Sequence, residues 1–174
     1  MAILQESSLR IKRTGNLERM PDGVSGVRST LDRMIQMANA ASLNVDVRSA
    51  AEDIVAFVDG KDFSGQVEAI QSWVRDNIRY LRDHVFAETL IDPVLLLQTK
   101  AGDCDDHSML VAALLMAIGF TVRFQAIAPN DPNDFQHVYA EVKLGQNEWY
   151  SVETTELVPV GWQPLVVNRI TRYI

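Results

Sequence analysis

The sequence predicts an α+β fold, with helices in the first part of the chain and an antiparallel sheet after them. Apolar residues recur at helical spacing as far as Ile118, and the period becomes two after Gly119. Short segments rich in Gly, Asn, Asp and Pro separate the alternating stretches, as expected for turns between strands. Helices followed by strands, rather than alternating with them, are typical of α+β domains.

The chain has 174 residues, 47% of them hydrophobic, which suits one compact domain with a full core. Residues 1–25 alternate charges with Gly15, Pro21 and Gly23 and show no sustained apolar period. They are therefore predicted to form an extended N-terminal arm. Residues 26–174 are predicted to form a single domain.

Four helices are predicted, each from a stripe of apolar residues. Ser29, with Asp32 three residues on, is the expected N-cap of the first helix, and Asp59-Gly60 is expected to end the second. The predicted helices are Ser29–Ala40, Val47–Val58, Phe63–Tyr80 and a short one that starts at Asp92-Pro93.

A fifth helix follows Cys104, the only cysteine of the chain, and carries the apolar run Met109–Ile118. Asp103 is a good N-cap, and Asp106 lies at the third helical position, so the two are expected to form a capping box. Cys104 is then the first helical residue, where N–H groups have no partner within the helix. This position suits a nucleophilic thiol whose own N–H donates to an oxyanion, although a lone cysteine before an apolar helix is more often a small buried hydrophobe.

A catalytic thiol needs an imidazole, and the chain has three histidines. His84 follows a helix end and is expected to be exposed. His107 lies in the same turn as Cys104, too close to leave room for a substrate between them, so a capping or packing role is expected. His137 opens a strand after a loop, at the rim of the sheet, and is the candidate base; its alternative role is a polar residue on the exposed face.

Three strands are predicted, and the last two form a hairpin whose turn decides which carboxylate meets His137. The strands are Thr121–Ala128, His137–Leu144 and Trp149–Thr155. A three-residue turn, Gly145–Asn147, places Glu153 on the face of His137 as its diagonal neighbour. An even-length turn without a bulge turns Glu153 away and makes Glu156 the candidate. We therefore predict an odd-length turn or a bulge.

The acidic residues beside the thiol have two interpretations. Asp103, Asp105 and Asp106 favour the helix but disfavour a thiolate, so that an ion pair with His137 must activate it. A divalent metal site built from these residues and His107 is the rival chemistry. Its spacing fits no standard calcium loop, so neither a metal nor a cofactor is predicted.

Several segments of the chain together resemble the transglutaminase-like cysteine protease superfamily, over roughly residues 65–164. They are Gly102-Asp103-Cys104 before an apolar helix, His137–Val142, Trp149-x-x-x-Glu153-x-Thr155, Trp73–Tyr80, Asp92-Pro93 and Gly161–Pro164. The chain looks most like the small stand-alone members of bacterial and tailed-phage genomes. The resemblance implies a papain/transglutaminase-like core with the nucleophile at the N-terminus of a central buried helix.

By that resemblance Cys104 is the nucleophile, His137 the general base and then acid, and Glu153 stands where the family usually has Asp. The predicted function is cysteine-dependent acyl transfer on amide or peptide bonds, by a protease, an amidase or a transglutaminase. The Cys104 N–H is one expected oxyanion donor. Tyr80 or Trp73 is a candidate for the second, and either is as readily a core residue.

Charge and composition bound the partners. The net charge is −7 and basic residues cluster only at Arg10-Ile11-Lys12-Arg13, so a peptide or protein substrate is predicted and nucleic acid is not. No apolar run approaches the roughly 20 residues that a bilayer needs, and the first residues lack the blocks of a signal peptide. With a single cysteine there is no internal disulfide, so a cytoplasmic location is expected, or a virion if the protein is phage-encoded.

The alternative function is a structural or assembly protein of a phage particle, which keeps the fold with little or no activity. The predicted arm and the phage-like resemblance motivate it, because extended arms commonly dock on protein neighbours.

Overall fold

A computed structural model describes residues 9–11, 17–19, 23–81 and 90–174. The helices in this part of the chain are α1 (Gly23–Ser42), α2 (Val45–Val55), α3 (Phe63–Asn77), α4 (Pro93–Thr99) and α5 (Cys104–Ala117). The strands are β1 (Leu9–Ile11), β2 (Leu17–Arg19), β3 (Arg79–Tyr80), β4 (Ala101–Gly102), β5 (Val122–Ala128), β6 (His137–Lys143), β7 (Trp149–Val152) and β8 (Asn168–Tyr173). The predicted α+β class is confirmed.

Helix α5 is the centre of the fold. It contacts the other four helices and packs on β5 and β6. Its residues from Asp106 to Leu115 are all buried. A helix that is apolar on every side is stable only when it is surrounded, which explains why the other helices collect around it. Among the described helices, none combines the length and the apolar character needed to span a membrane.

The main sheet has the order β7-β6-β5-β8 and is antiparallel throughout. One face, formed by residues such as Phe124, Ala140 and Val142, belongs to the hydrophobic core with α5. The hairpin between β6 and β7 pairs Ala140 with Val152 and Lys143 with Trp149. The N–H of Leu144 donates to the carbonyl of Glu148 at 3.0 Å across the three-residue turn. The predicted odd-length turn is confirmed, and Gly145 adopts the left-handed φ of +83° that the turn requires.

Several predicted bounds were wrong. Helix α1 begins at Gly23, so Ser29 lies inside it and donates its hydroxyl to the Ser25 carbonyl instead of capping the helix. Val24 and Val27 pack against the core, which extends the apolar stripe backwards. The N-cap of α2 is Asn44, and α2 ends at Val55 rather than Val58.

The helix predicted to reach Tyr80 ends at Asn77. Ile78 is extended, with φ −108° and ψ 115°, and Arg79–Tyr80 then pairs in parallel with Ala101–Gly102. The predictions had neither this short parallel pair nor β8. The described parts of the predicted arm form the antiparallel pair β1–β2, and residues 23–25 belong to α1. The division into an arm and one domain stays a prediction.

Candidate active site

The first turn of α5 is fixed by its own acidic residues. The Asp103 carboxylate accepts from the N–H groups of Asp105 (3.0 Å) and Asp106 (3.2 Å). The Asp106 carboxylate in turn accepts from the Asp103 N–H. The predicted capping box is confirmed, with Cys104 as the first helical residue. Gly102 makes this possible, because a Cβ there would lie 2.6 Å from a carboxylate oxygen of Asp106. The Gly-Asp-Cys motif therefore shapes the turn that presents the thiol.

The same turn docks on the free edge of β6. The bond from the Leu144 N–H to the Glu148 carbonyl shows that the even-numbered residues of β6 direct their backbone groups towards β7. The pairing with β7 ends at Ala140 and Val152, so even-numbered residues before Ala140 have no partner on β7. Val138 is the next such residue, and α5 takes the place of the missing strand. The Ser108 hydroxyl donates to the Val138 carbonyl at 3.1 Å, and the Val138 N–H lies near enough to the Cys104 sulfur to favour its thiolate. The thiol is thereby held against the residue that follows His137.

His137 and Glu153 are in direct contact. The imidazole Nε2 lies 2.5 Å from the Glu153 Oε2, and Glu153 is buried at 2% exposure. The other carboxylate oxygen, Oε1, accepts from the Thr155 N–H (2.7 Å) and hydroxyl (2.8 Å). Glu153 stands one residue after the end of β7, and its side chain, which is longer than the aspartate usual in the family, reaches the imidazole from there. Since Nε2 bonds to Glu153, Nδ1 is the imidazole nitrogen left to bond elsewhere.

The electrostatic environments of the thiol and the carboxylate differ. Burial raises the pKa of the Cys104 thiol well above its ordinary value, and the charges of Asp105 and Asp103 raise it further. The Asp105 Oδ1 lies 3.7 Å from the sulfur. For Glu153, burial also opposes ionisation, but the bonds from His137 and Thr155 outweigh it and lower the pKa. The carboxylate is ionised near neutral pH, whereas the isolated thiol is not.

His107 has the packing role that was expected of it. It is 1% exposed, forms a hydrogen bond with the Thr154 hydroxyl through Nδ1 (3.2 Å) and packs edge-on against Tyr80. Burial lowers its pKa to about 4, against the raising effects of the Glu153 charge and the Arg79 carbonyl. It is therefore neutral at physiological pH. The third histidine, His84, lies outside the described residues.

The two candidates for a second oxyanion donor lie in different settings. Tyr80 is half-exposed and is paired with Gly102, two residues before Cys104. Trp73 is partly buried, and the Lys100 ammonium lies 4.3 Å above its ring. The roles of both stay predictions.

The four residues of the rival metal site, Asp103, Asp105, Asp106 and His107, do not bring their ligand atoms together. The Asp106 carboxylate accepts from the N–H groups of Ile91 (2.7 Å) and Asp103, and His107 bonds to Thr154. Within the described part of the chain, the metal-ligating atoms that gather within 4.8 Å of one another come from Asp103, Cys104 and Asp105.

Sequence reasoning missed three polar side chains that support this arrangement. Ser108 bonds to the Cys104 carbonyl at 2.6 Å, a contact that a serine four residues further along a helix often makes. Thr155 supports Glu153 from two residues away. Gln71 donates to the Glu153 carbonyl at 2.9 Å from α3. The sequence did contain an indication of this role, because Gln71 is a polar residue on the apolar stripe formed by Val67, Ile70 and Val74.

The family is established by comparison with known sequences. The profile of the transglutaminase-like superfamily matches residues 48–154. The chain therefore belongs to the transglutaminase-like superfamily, as its motifs predicted. The match spans α3, α4, α5 with Cys104 at its start, strands β5 to β7 with His137 at the start of β6, and Glu153 directly after β7.

Solved structures show the same fold at low sequence identity. A candidate cysteine protease from Cytophaga hutchinsonii is 20% identical with a TM-score of 0.53, over 72% of this chain and 42% of that one. A candidate protease from Parabacteroides distasonis is 14% identical with a TM-score of 0.57, over 70% and 26%. Calcium-bound LapG from Legionella pneumophila is 19% identical with a TM-score of 0.53, over 79% and 76%. This chain thus spans less than half of the first two proteins. No curated protein matches it.

Proposed function

We propose that this protein is a cysteine-dependent acyl transferase that cleaves amide bonds in peptides or proteins, with Cys104, His137 and Glu153 as its triad. One observation carries the proposal. The turn that carries Cys104 docks on Val138 through the Ser108 hydroxyl, and the residue before Val138, His137, is bonded to a buried carboxylate. Nucleophile, base and orienting group are the three parts that this chemistry requires.

In the first half of the reaction, His137 takes the Cys104 proton and the thiolate attacks the carbonyl carbon of the amide. The carbonyl π electrons move to the oxygen, which the Cys104 N–H and a second donor, Tyr80 or Trp73, stabilise. His137 then gives its proton to the leaving nitrogen, and the C–N bond breaks. The products are a free amine and a thioester on Cys104.

In the second half, water attacks the carbonyl carbon of the thioester while His137 takes one of its protons. The C–S bond then breaks, and His137 returns the proton to the Cys104 sulfur. The products are a carboxylic acid and the free enzyme. An amine in place of water would give a new amide, as in a transglutaminase. We favour hydrolysis, since no region of the sequence is dedicated to an amine acceptor.

The charges around the thiol make His137 indispensable to this mechanism. Burial, Asp103 and Asp105 all oppose a free thiolate. An imidazolium beside the sulfur offsets these effects through an ion pair, and the ionised Glu153 in turn stabilises the imidazolium. Glu153 also fixes the ring so that Nδ1 accepts the thiol proton.

The similarity to two candidate proteases, from Cytophaga hutchinsonii and Parabacteroides distasonis, is compatible with this assignment. Another similar structure is that of a calcium-bound protein. Here the clustered side chains of Asp103, Cys104 and Asp105 supply two carboxylates and a thiol, and a thiol does not suit calcium, which takes oxygen ligands. No step is therefore assigned to a metal.

The test is to capture the acyl-enzyme. Wild-type and Cys104→Ala proteins are incubated with a peptide library and read by intact mass. We expect an adduct on the wild type that the variant lacks. No adduct with any peptide, together with sluggish alkylation of Cys104 that His137→Ala leaves unchanged, would favour the assembly protein predicted as the alternative.

A further inference from the structure

The backbone of Glu153 is held from outside the sheet. Odd-numbered residues of β7 direct their backbone groups away from β6, as the bond from the Gly161 N–H to the Ser151 carbonyl shows, and Glu153 continues this pattern one residue after the strand. The Glu153 carbonyl therefore has no partner in the β6–β7 ladder, and the Gln71 amide of α3 donates to it at 2.9 Å. The same nitrogen lies 3.2 Å from the Val158 carbonyl. One side chain therefore ties both ends of the segment 153–158 to a helix of the first half of the chain.

The burial of Gln71 calls for an explanation in terms of these bonds. Its exposure is 3%, and its neighbours on the inner side of α3, Val67, Ile70 and Val74, are fully buried. A buried amide costs free energy unless its hydrogens are bonded, and an apolar residue would pack on this stripe without that cost. Here both amide hydrogens are directed at carbonyls of the segment that starts with Glu153.

Packing alone does not fix that segment against α3. An open cleft of about 430 Å³ lies between them, lined by Glu68, Ser72, Arg75 and the residues Leu157–Val160. At its far end the segment is tied to β7, because the Gly161 N–H donates to the Ser151 carbonyl at 2.8 Å. Near Glu153 the segment is joined to α3 by the hydrogen bond from the Gln71 amide to the Glu153 carbonyl.

We propose that Gln71 is a positioning residue, which holds the main chain of Glu153 so that the carboxylate meets His137. This inference rests on the proposed function. A glutamate has one more rotatable bond than an aspartate, so its carboxylate can occupy more positions. It stays in one position only if its backbone and both carboxylate oxygens are held by hydrogen bonds. His137 and Thr155 hold the two oxygens, and Gln71 holds the carbonyl.

The test compares Gln71→Met with Gln125→Met. Both glutamines are 3% exposed, and Gln125 bonds through its amide oxygen to Thr171, on a strand that carries none of the triad. We expect Gln71→Met to lower kcat about ten- to a hundredfold with little change in KM, and to move Cys104 alkylation to higher pH. Gln125→Met is expected to lower the unfolding midpoint without moving the alkylation profile.

A double-mutant cycle separates positioning from general destabilisation. In a Glu153→Gln background, Gln71→Met should lower kcat little further, because Gln71 acts through the lost carboxylate. If Gln71→Met does not fold, Gln71→Asn, which keeps the amide on a shorter side chain, is measured in the same way.

Two outcomes overturn the inference, and they are distinguishable. An unchanged alkylation profile in Gln71→Met, or an equal loss of kcat in both backgrounds, overturns the role of Gln71 while His137-dependent alkylation of the wild type upholds the triad. Wild-type alkylation that does not depend on His137 overturns the triad and the inference together.

Discussion

At the N-terminus of α5 the surroundings oppose ionisation of the Cys104 thiol, whereas just after the end of β7 they favour ionisation of the Glu153 carboxylate. Burial, Asp103 and Asp105 raise the pKa of Cys104. Glu153 is buried as well, yet bonds from His137 and Thr155 lower its pKa. The difference shows that burial alone does not decide the charge of a group, since hydrogen-bond donors can outweigh it. It also implies that the nucleophile depends on its partners for reactivity.

The largest expected effect comes from removing either reacting side chain. Cys104→Ala and His137→Ala should each lower kcat/KM at least about a thousandfold. The kcat/KM of the double variant should equal that of the less active single variant, because the two residues act as a unit. The measurement is hydrolysis of a peptide identified by acyl-enzyme capture. Urea unfolding serves as the control for folding. Residual activity above a tenth of wild type in either variant would contradict the triad.

The carboxylate half of the comparison is tested next. Glu153→Gln keeps the shape but removes the charge that stabilises an imidazolium, and we expect a loss of kcat of about a hundredfold or more. Glu153→Asp keeps the charge but shortens the reach to His137, and about a tenfold loss is expected. Equal activity in the three proteins would show that the 2.5 Å contact plays no part in catalysis.

The thiol half is tested by removing one of its acidic neighbours. Asp105→Asn deletes a negative charge whose Oδ1 lies 3.7 Å from the sulfur. The thiolate then forms more readily, so Cys104 alkylation should move to lower pH by about one unit. The matched control is Asp76→Asn on the exposed end of α3, which should leave the profile in place. A shift to higher pH in Asp105→Asn would contradict the electrostatic account of the turn.

The smallest expected effect on activity, with a clear effect on stability, comes from Asp106. Burial raises its pKa to about 8, with further raising by Asp103, although the N–H groups of Ile91 and Asp103 favour the carboxylate. The folded protein therefore retains a proton that the unfolded chain loses above its ordinary pKa of 3.8. This proton stabilises the folded state fully below about pH 4. The stabilisation falls as the pH rises from about 4 to about 8, by up to about 1.4 kcal/mol per pH unit.

Asp106→Asn removes this titration. Its free energy of unfolding, measured in urea from pH 5 to pH 7.5, should fall less steeply with pH than that of the wild type. Other ionisable groups are common to both proteins, so the difference between the two slopes isolates Asp106. Identical slopes would show that Asp106 is ionised in the folded state throughout this range.

Much of the local structure could be predicted because it depends on residues close in sequence. Asp103 and Asp106 are three residues apart, and their capping box formed as expected. The requirement that Glu153 share a face with His137 fixed the parity of the hairpin turn, and the observed register agrees. The start of α1 was wrong because Ser29 suits an N-cap locally, whereas packing of Val24 and Val27 extends the helix.

Other features had no local signal. Strand β8 pairs with β5, and the paired residues lie 40 to 50 positions apart in the chain. The parallel pair of β3 and β4 joins residues on either side of α4. The first pairing depends on how the chain folds back after β6 and β7, and the second depends on where α4 packs, neither of which periodicity reports.

The sequence by itself determined which residues are available for chemistry, namely a thiol at a helix N-terminus and an imidazole at the start of a strand. Caps, turn parity and apolar stripes follow from interactions over a few residues, so they can be read along the chain. Tertiary structure alone decided that Cys104 and Ser108 dock on Val138 and that Gln71 reaches Glu153. These contacts join residues 30 to 82 positions apart, and they form only because α5 is surrounded by the other helices and the sheet.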